Sequence, residues 1–154
     1  MRVWRICKAE HAATAFTGEG AMAYPGRWHH AGTRVVYCSE SRALAALEQL
    51  VHLHRTGLPP HFVCFAVEIP DDIASRELRV EDLPPEWRRQ PGPPELRDIG
   101  TGWVDTGETA VLQVPSAVVP GEHNFLVNPR HPDFGRLRIG NVEPFEFDER
   151  LTGN

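Results

Sequence analysis

Glycine and proline interrupt this chain so often that it can fold only into short elements joined by many turns: 13 Gly and 14 Pro fall among 154 residues. A chain of that length makes one domain, and the surface scaling of folded proteins gives it a real core, with about two thirds of its surface buried. One domain over residues 1–154 is therefore expected, with large modular architectures excluded.

The strongest local signal is a helix over residues 42–55, capped by Ser39 or Ser41 and ended by Thr56-Gly57 and Pro59-Pro60. At 100° per residue its broad apolar face holds Ala43, Leu44, Ala46, Leu47, Leu50, Val51 and Leu53, and Glu48 falls about 40° beyond Leu44, at the rim of the core. Residues 62–69 form a nearly continuous apolar run, which reads as a strand covered on both faces. Shorter strands are expected over 3–7, 33–38, 110–114, 117–119 and 123–127, with a last one inside 137–147. Residues 11–20 read as a helical turn or loop. One strong helix among about six short strands gives an α+β class, and the lack of regular βα alternation argues against a doubly wound sheet.

Charge narrows the function. The net charge is −5, so the chain lacks the positive field on which non-specific nucleic-acid binding depends. The acidity is local: residues 70–108 hold ten acids and five arginines, and the remainder holds eleven of each sign. With its prolines, that segment reads as a long irregular excursion with one short helix near 95–103. Of the 16 basic residues only Lys8 is a lysine; arginine is the better planar fork for phosphate, although base composition also explains the bias.

Cys7, Cys38 and Cys64 form no C-x-x-C pair, so neither a disulfide framework nor a zinc site is expected. The histidines, His29-His30 and His52-x-His54 among them, lack the spacing that puts ligands on one helix face, and no metal is expected. No signal-peptide stretch and no run of ~20 apolar residues is present, which suggests a cytoplasmic protein. P-loop, G-x-S-x-G, H-E-x-x-H and G-x-G-x-x-G motifs are all missing from the sequence.

What remains is a set of individually weak signals. Gly26-Arg27-Trp28 offers a backbone that a ligand can approach, a two-point fork for a phosphate and a stacking face, though a turn with Arg27 on Trp28 would read the same. Tyr37 closes a strand that runs into the capped helix, where a ring either faces a cleft or packs. Glu48, taken alone, reads as an ordinary rim carboxylate. Ser116 follows a proline and has no adjacent base to activate it.

Their order along the chain is more specific than any one of them: Gly26-Arg27-Trp28, Gly32-x-x-Val-Val-Tyr37-x-Ser39, Leu44-Ala-x-Leu-Glu48, Val114-Pro-Ser116, and Asn124-x-x-x-Asn128-Pro-x-His131-Pro. This set resembles the RES domain family, named for an Arg, a Glu and a Ser that map here to Arg27, Glu48 and Ser116. The resemblance runs from Trp4-Arg5 through Ile99-Gly100-x-x-Trp103 to Asn128-Pro129. One departure is His29, which follows Trp28 where Asn is common in the family.

The resemblance implies a mainly antiparallel, split β-sheet like that of ADP-ribosyltransferase toxins. It also implies a bacterial type II toxin that arrests growth by consuming NAD through hydrolysis or phosphorolysis, with inorganic phosphate as a possible co-substrate, or that transfers ADP-ribose to a protein. The implied partner is an Xre-like helix-turn-helix antitoxin covering the active site, in a homodimer or a hetero-oligomer with the antitoxin. On this reading Arg27, Tyr37 and Glu48 are catalytic, and Trp28, Ser116 and Asn124 bind substrate. An RNase toxin and a nucleotide-binding module without activity are the competing readings. The acid balance disfavours the first, and intolerance of Glu48 to Gln would separate an enzyme from the second.

Overall fold

The computed structural model describes residues 1–53 and 61–152. Eight strands form one sheet: β1 (Arg2–Lys8), β2 (Val36–Ser39), β3 (Phe62–Glu68), β4 (Ser75–Glu77), β5 (Val111–Pro115), β6 (His123–Val127), β7 (Arg138–Ile139) and β8 (Glu143–Phe145). Their order is β4-β5-β6-β2-β1-β3-β7, with β8 also pairing with β3. Every pair is antiparallel except β4 with β5. The helices are α1 (Glu19–Ala23), α2 (Arg42–Leu50), α3 (Pro94–Thr106) and α4 (Glu149–Thr152). The α+β, mainly antiparallel expectation holds, and none of the helices is long and apolar enough to cross a membrane among the described residues.

The sheet is tightly laddered in two halves and thin where they meet. β1 and β3 pair through seven consecutive residues, whereas β1 and β2 share only Trp4 opposite Ser39. Beside that single bridge the Arg5 side chain takes the place of a ladder donor, Nη1 donating to the Tyr37 carbonyl at 2.9 Å. Because side chains alternate along a strand, Trp4, Ser39 and Tyr37 share one face. On that face α2 packs over the β1–β3 half, through Ala45, Ala46, Trp4, Ile6 and Cys64. Also on that face, α3 and the segment before it cover the β5–β6 half, where Leu78, Leu83, Trp87, Leu96 and Trp103 pack with Tyr37, Leu112, Val114 and Leu126. β2 therefore lies at the floor of a cleft between two separately packed helices.

The structure settles some of the expectations and changes others. α2 is capped by Ser41, which accepts from the Leu44 N–H at 3.0 Å, and Ser39 is free for another role. Its buried residues are Leu44 and Ala45, while Ala43, Leu47 and Val51 of the expected apolar face are exposed. The helix is turned so that Leu44, Ala45 and Glu48, one i, i+1, i+4 face, look inward. The stop signals at 56–60 and His54 lie outside the described residues. Residues 117–119 form a turn, because the Ser116 Oγ accepts the Val118 and Val119 N–H groups at 3.1 Å each, leaving them unavailable to a ladder.

The acidic stretch at 70–108 is more than a surface excursion. It supplies Ile73, Leu78, Leu83, Trp87, Leu96 and Trp103 to the core and contains α3, at 13 residues the longest described helix. α3 can lie this close because of Gly100: a Cβ there would sit 1.7 Å from the Trp28 carbonyl oxygen. Trp28 itself is 2% exposed and packs in this core. The stacking face expected of it is turned inward, because α3 and Leu96 close over the ring.

Candidate active site

Strand register assembles the floor of the cleft. β2 and β6 pair with Ser39 directly opposite Asn124, and β6 and β5 pair with Asn124 opposite Val114, two residues before Ser116. From the helix above, Glu48 reaches down, and its Oε1 accepts from Asn124 Nδ2 at 2.6 Å and from Ser116 Oγ at 2.9 Å. Ser39 Oγ donates to Asn124 Oδ1 at 2.7 Å. The polarity of this chain is fixed at both ends. A carboxylate can only accept, so the amide must turn its NH2 toward Glu48 and its oxygen toward the Ser39 hydroxyl. Ser116 accepts two backbone N–H bonds and so gives its own proton to Glu48.

Two groups thus hold one oxygen of a half-buried carboxylate, with Ser39 behind one of them, and the other oxygen, Oε2, takes no hydrogen bond from any described residue. The helix rotation reported above follows: two short hydrogen bonds on Glu48 outweigh the exposure of Leu47 and Val51. Ser116 and Asn124 were expected to touch substrate; in the structure their polar groups are engaged with Glu48.

The opposite wall is built from backbone. The Arg27 Nη1 donates to the Trp87 and Arg89 carbonyls at 2.7 and 3.0 Å, and Nη2 donates to Gln90 Oε1 at 2.9 Å. Burial pulls the Arg27 pKa below the usual guanidinium value, the charge of Glu48 pushes it back up, and the nearby Arg88 lowers it further. Arg27 and Glu48 are therefore close enough for their charges to act on one another.

Tyr37 lies between the two walls. Its hydroxyl is 2.7 Å from His29 Nδ1, and His29 Nε2 is 2.9 and 3.1 Å from the carbonyls of Tyr24 and Ala21. Carbonyls only accept, so Nε2 carries the proton, and the neutral ring receives the Tyr37 hydroxyl at Nδ1. Burial lowers the His29 pKa and raises that of Tyr37, so both stay neutral. Gly26 leaves room for this contact, since a Cβ would lie 2.7 Å from the His29 ring. The Tyr37 ring remains half-buried at the cleft, while its hydroxyl fastens the 26–30 loop.

Sequence reading missed the role of Ser39, although its spacing from Tyr37 was the signal: two residues apart on a strand share a face. It also missed Arg88, which donates from Nε and Nη2 to the Ala117 carbonyl at 3.3 and 3.1 Å, and Arg97, whose Nε holds the Gly26 carbonyl at 3.0 Å. Nothing in their local sequence marks either. A surface hollow of about 440 Å³, lined by residues 77–81 with Pro115 and His123, borders the Ser116–Asn124 end without including Glu48. Among the described residues no group of three or more His, Cys, Asp and Glu is placed to hold a metal.

Comparison with known proteins bears on this site. The family model for the RES domain matches residues 2–148. A protein named Toxin Res from Yersinia enterocolitica is 40% identical over 153 residues, covering 98% of this chain and 99% of its own. A protein named Prs ADP-ribosylating toxin from a Sphingobium species is 38% identical over 152 residues, covering 96% and 94%. Among solved structures, the crystal structure of the M. tuberculosis MbcT-MbcA toxin-antitoxin complex aligns with a TM-score of 0.68 at 17% identity, over 94% of this chain and 83% of that one, which shows a shared fold.

Proposed function

The chain belongs to the RES domain family, and on that premise we propose that it is the toxin of a toxin–antitoxin pair, an enzyme that breaks the bond between nicotinamide and ribose in NAD. The observation that carries this reading is the state of Glu48: a carboxylate fixed at Oε1 by Ser116 and Asn124, with Oε2 taking no hydrogen bond among the described residues. Loss of nicotinamide leaves positive charge on the sugar in an oxocarbenium-like transition state, and a carboxylate already held in place stabilises that charge without reorganising. Nicotinamide departs as a neutral ring, so no general acid is required. Tyr37 flanks the ring, its orientation set by the bond to His29.

The acceptor of the ADP-ribosyl group is water or inorganic phosphate on this reading. The name of the Sphingobium relative supports a second one, transfer to a protein side chain, which shares the same first bond cleavage. Purified protein incubated with NAD, with and without phosphate, tests both: release of nicotinamide with free ADP-ribose or its phosphate ester supports NAD consumption, and label from NAD on a protein supports transfer. If no nicotinamide is released under any of these conditions, the reading fails. The partner on this proposal is an Xre-like antitoxin that occludes the cleft, and NAD would then compete with it for binding.

A further inference from the structure

The role first expected of Arg27, a two-point grip on phosphate, sits poorly with its surroundings. Three of its five N–H donors are given to Trp87, Arg89 and Gln90, and a diphosphate would have to share or break those bonds. Arg88 stands differently. Its residue lies between the two whose carbonyls hold Arg27, and its side chain reaches the Ala117 carbonyl, one residue past Ser116. A single oxygen takes two of its donors, on Nε and Nη2. The other three face no partner among the described residues, and the residue is exposed.

We propose that Arg88 is the group that receives the diphosphate of NAD, while Arg27 is a positioning residue that fixes the segment carrying it. This rests on the NAD reading above. Two arguments support it. A guanidinium tethered along one edge has lost most of its rotamer freedom before the ligand arrives, and it presents a planar edge of paired donors suited to phosphate oxygens. The polarity of the cleft also matches that of the dinucleotide. Glu48 offers a negative group to the cationic nicotinamide riboside end, and Arg88, tied to the residue that follows Glu48's partner Ser116, offers a positive one to the anionic diphosphate.

The test uses Arg88→Gln with three probes: NAD; nicotinamide riboside, which has the same scissile bond and no diphosphate; and ADP, a diphosphate without that bond. Losing one charge-assisted contact should lower kcat/KM for NAD by about tenfold, chiefly through KM, and weaken ADP binding by a similar factor. The loss on nicotinamide riboside should be several-fold smaller. Arg138→Gln, a charge change on β7, controls for net charge, and thermal melting reports folding. Equal loss on NAD and the riboside would assign Arg88 a structural role through Ala117 and overturn the proposal. So would unchanged ADP affinity, or an effect confined to the dependence on inorganic phosphate. Should the wild-type protein fail to cleave NAD, the functional reading falls, and the ADP titration still decides whether Arg88 binds a diphosphate.

Discussion

The two walls of the cleft are held by different means. Glu48 is fixed by the side chains of Ser116, Asn124 and Ser39, all placed by strands in register. Arg27 is fixed mainly by main-chain carbonyls of an irregular segment, with one glutamine amide. A side-chain network depends on residue identity and breaks by single substitution. A backbone cradle depends on how its segment packs, and it tolerates changes at the residues that supply the oxygens. Chemistry is accordingly expected to concentrate on the Glu48 wall and architecture on the Arg27 wall.

The sharpest challenge to that division is Glu48→Gln, which keeps the acceptor oxygen for Ser116 and Asn124 but removes the charge. NAD cleavage should fall about a hundredfold, roughly 3 kcal/mol of transition-state stabilisation, with the melting temperature nearly unchanged. Activity within about threefold of wild type would show that the carboxylate only shapes the site.

Arg27→Lys probes the other wall. Lysine keeps the charge but cannot span three acceptors with a planar fork, so stability should drop by about 1–2 kcal/mol in denaturant titration and activity by about tenfold. A variant with full stability and lost activity would move Arg27 to the chemical side of the comparison.

Ser39→Ala tests how far the side-chain network extends. It touches no substrate on this reading, and it should lower kcat about fivefold with little change in KM, by freeing the Asn124 amide to turn away from Glu48. A change in KM alone would place Ser39 in the binding surface instead.

The smallest expected effect concerns His29, which links the walls through Tyr37. Its folded pKa is lowered from 6.5 by burial, so the unfolded chain binds the proton more readily. The stability that it contributes is complete above the unfolded value and is lost as pH falls through the lowered folded one. Replacing it in His29→Asn should flatten the acid limb of a melting-temperature profile. A profile of unchanged slope would mean that other groups set it.

Much of this was legible early. The residues Arg27, Tyr37, Glu48, Ser116 and Asn124 could be singled out from their order along the chain, and the capped helix placed Glu48 at a core rim, where it lies. Trp28 misled, because an aromatic beside Arg27 reads the same whether it faces a ligand or the core. Gly100, too small to clash with the Trp28 carbonyl, is what lets α3 close over the ring.

Sequence alone determined the class, the short elements, the helix bearing Glu48 and the set of polar residues, because periodicity, capping and residue type act over a few positions. Tertiary structure decided which way α2 turned, which hydroxyl meets which carboxylate, and which carbonyls each arginine of the site meets. Those outcomes depend on strand register and on backbone oxygens. Every residue carries such an oxygen, so no residue type announces that the carbonyls of Trp87 and Arg89 will take donors of Arg27 and that of Ala117 those of Arg88.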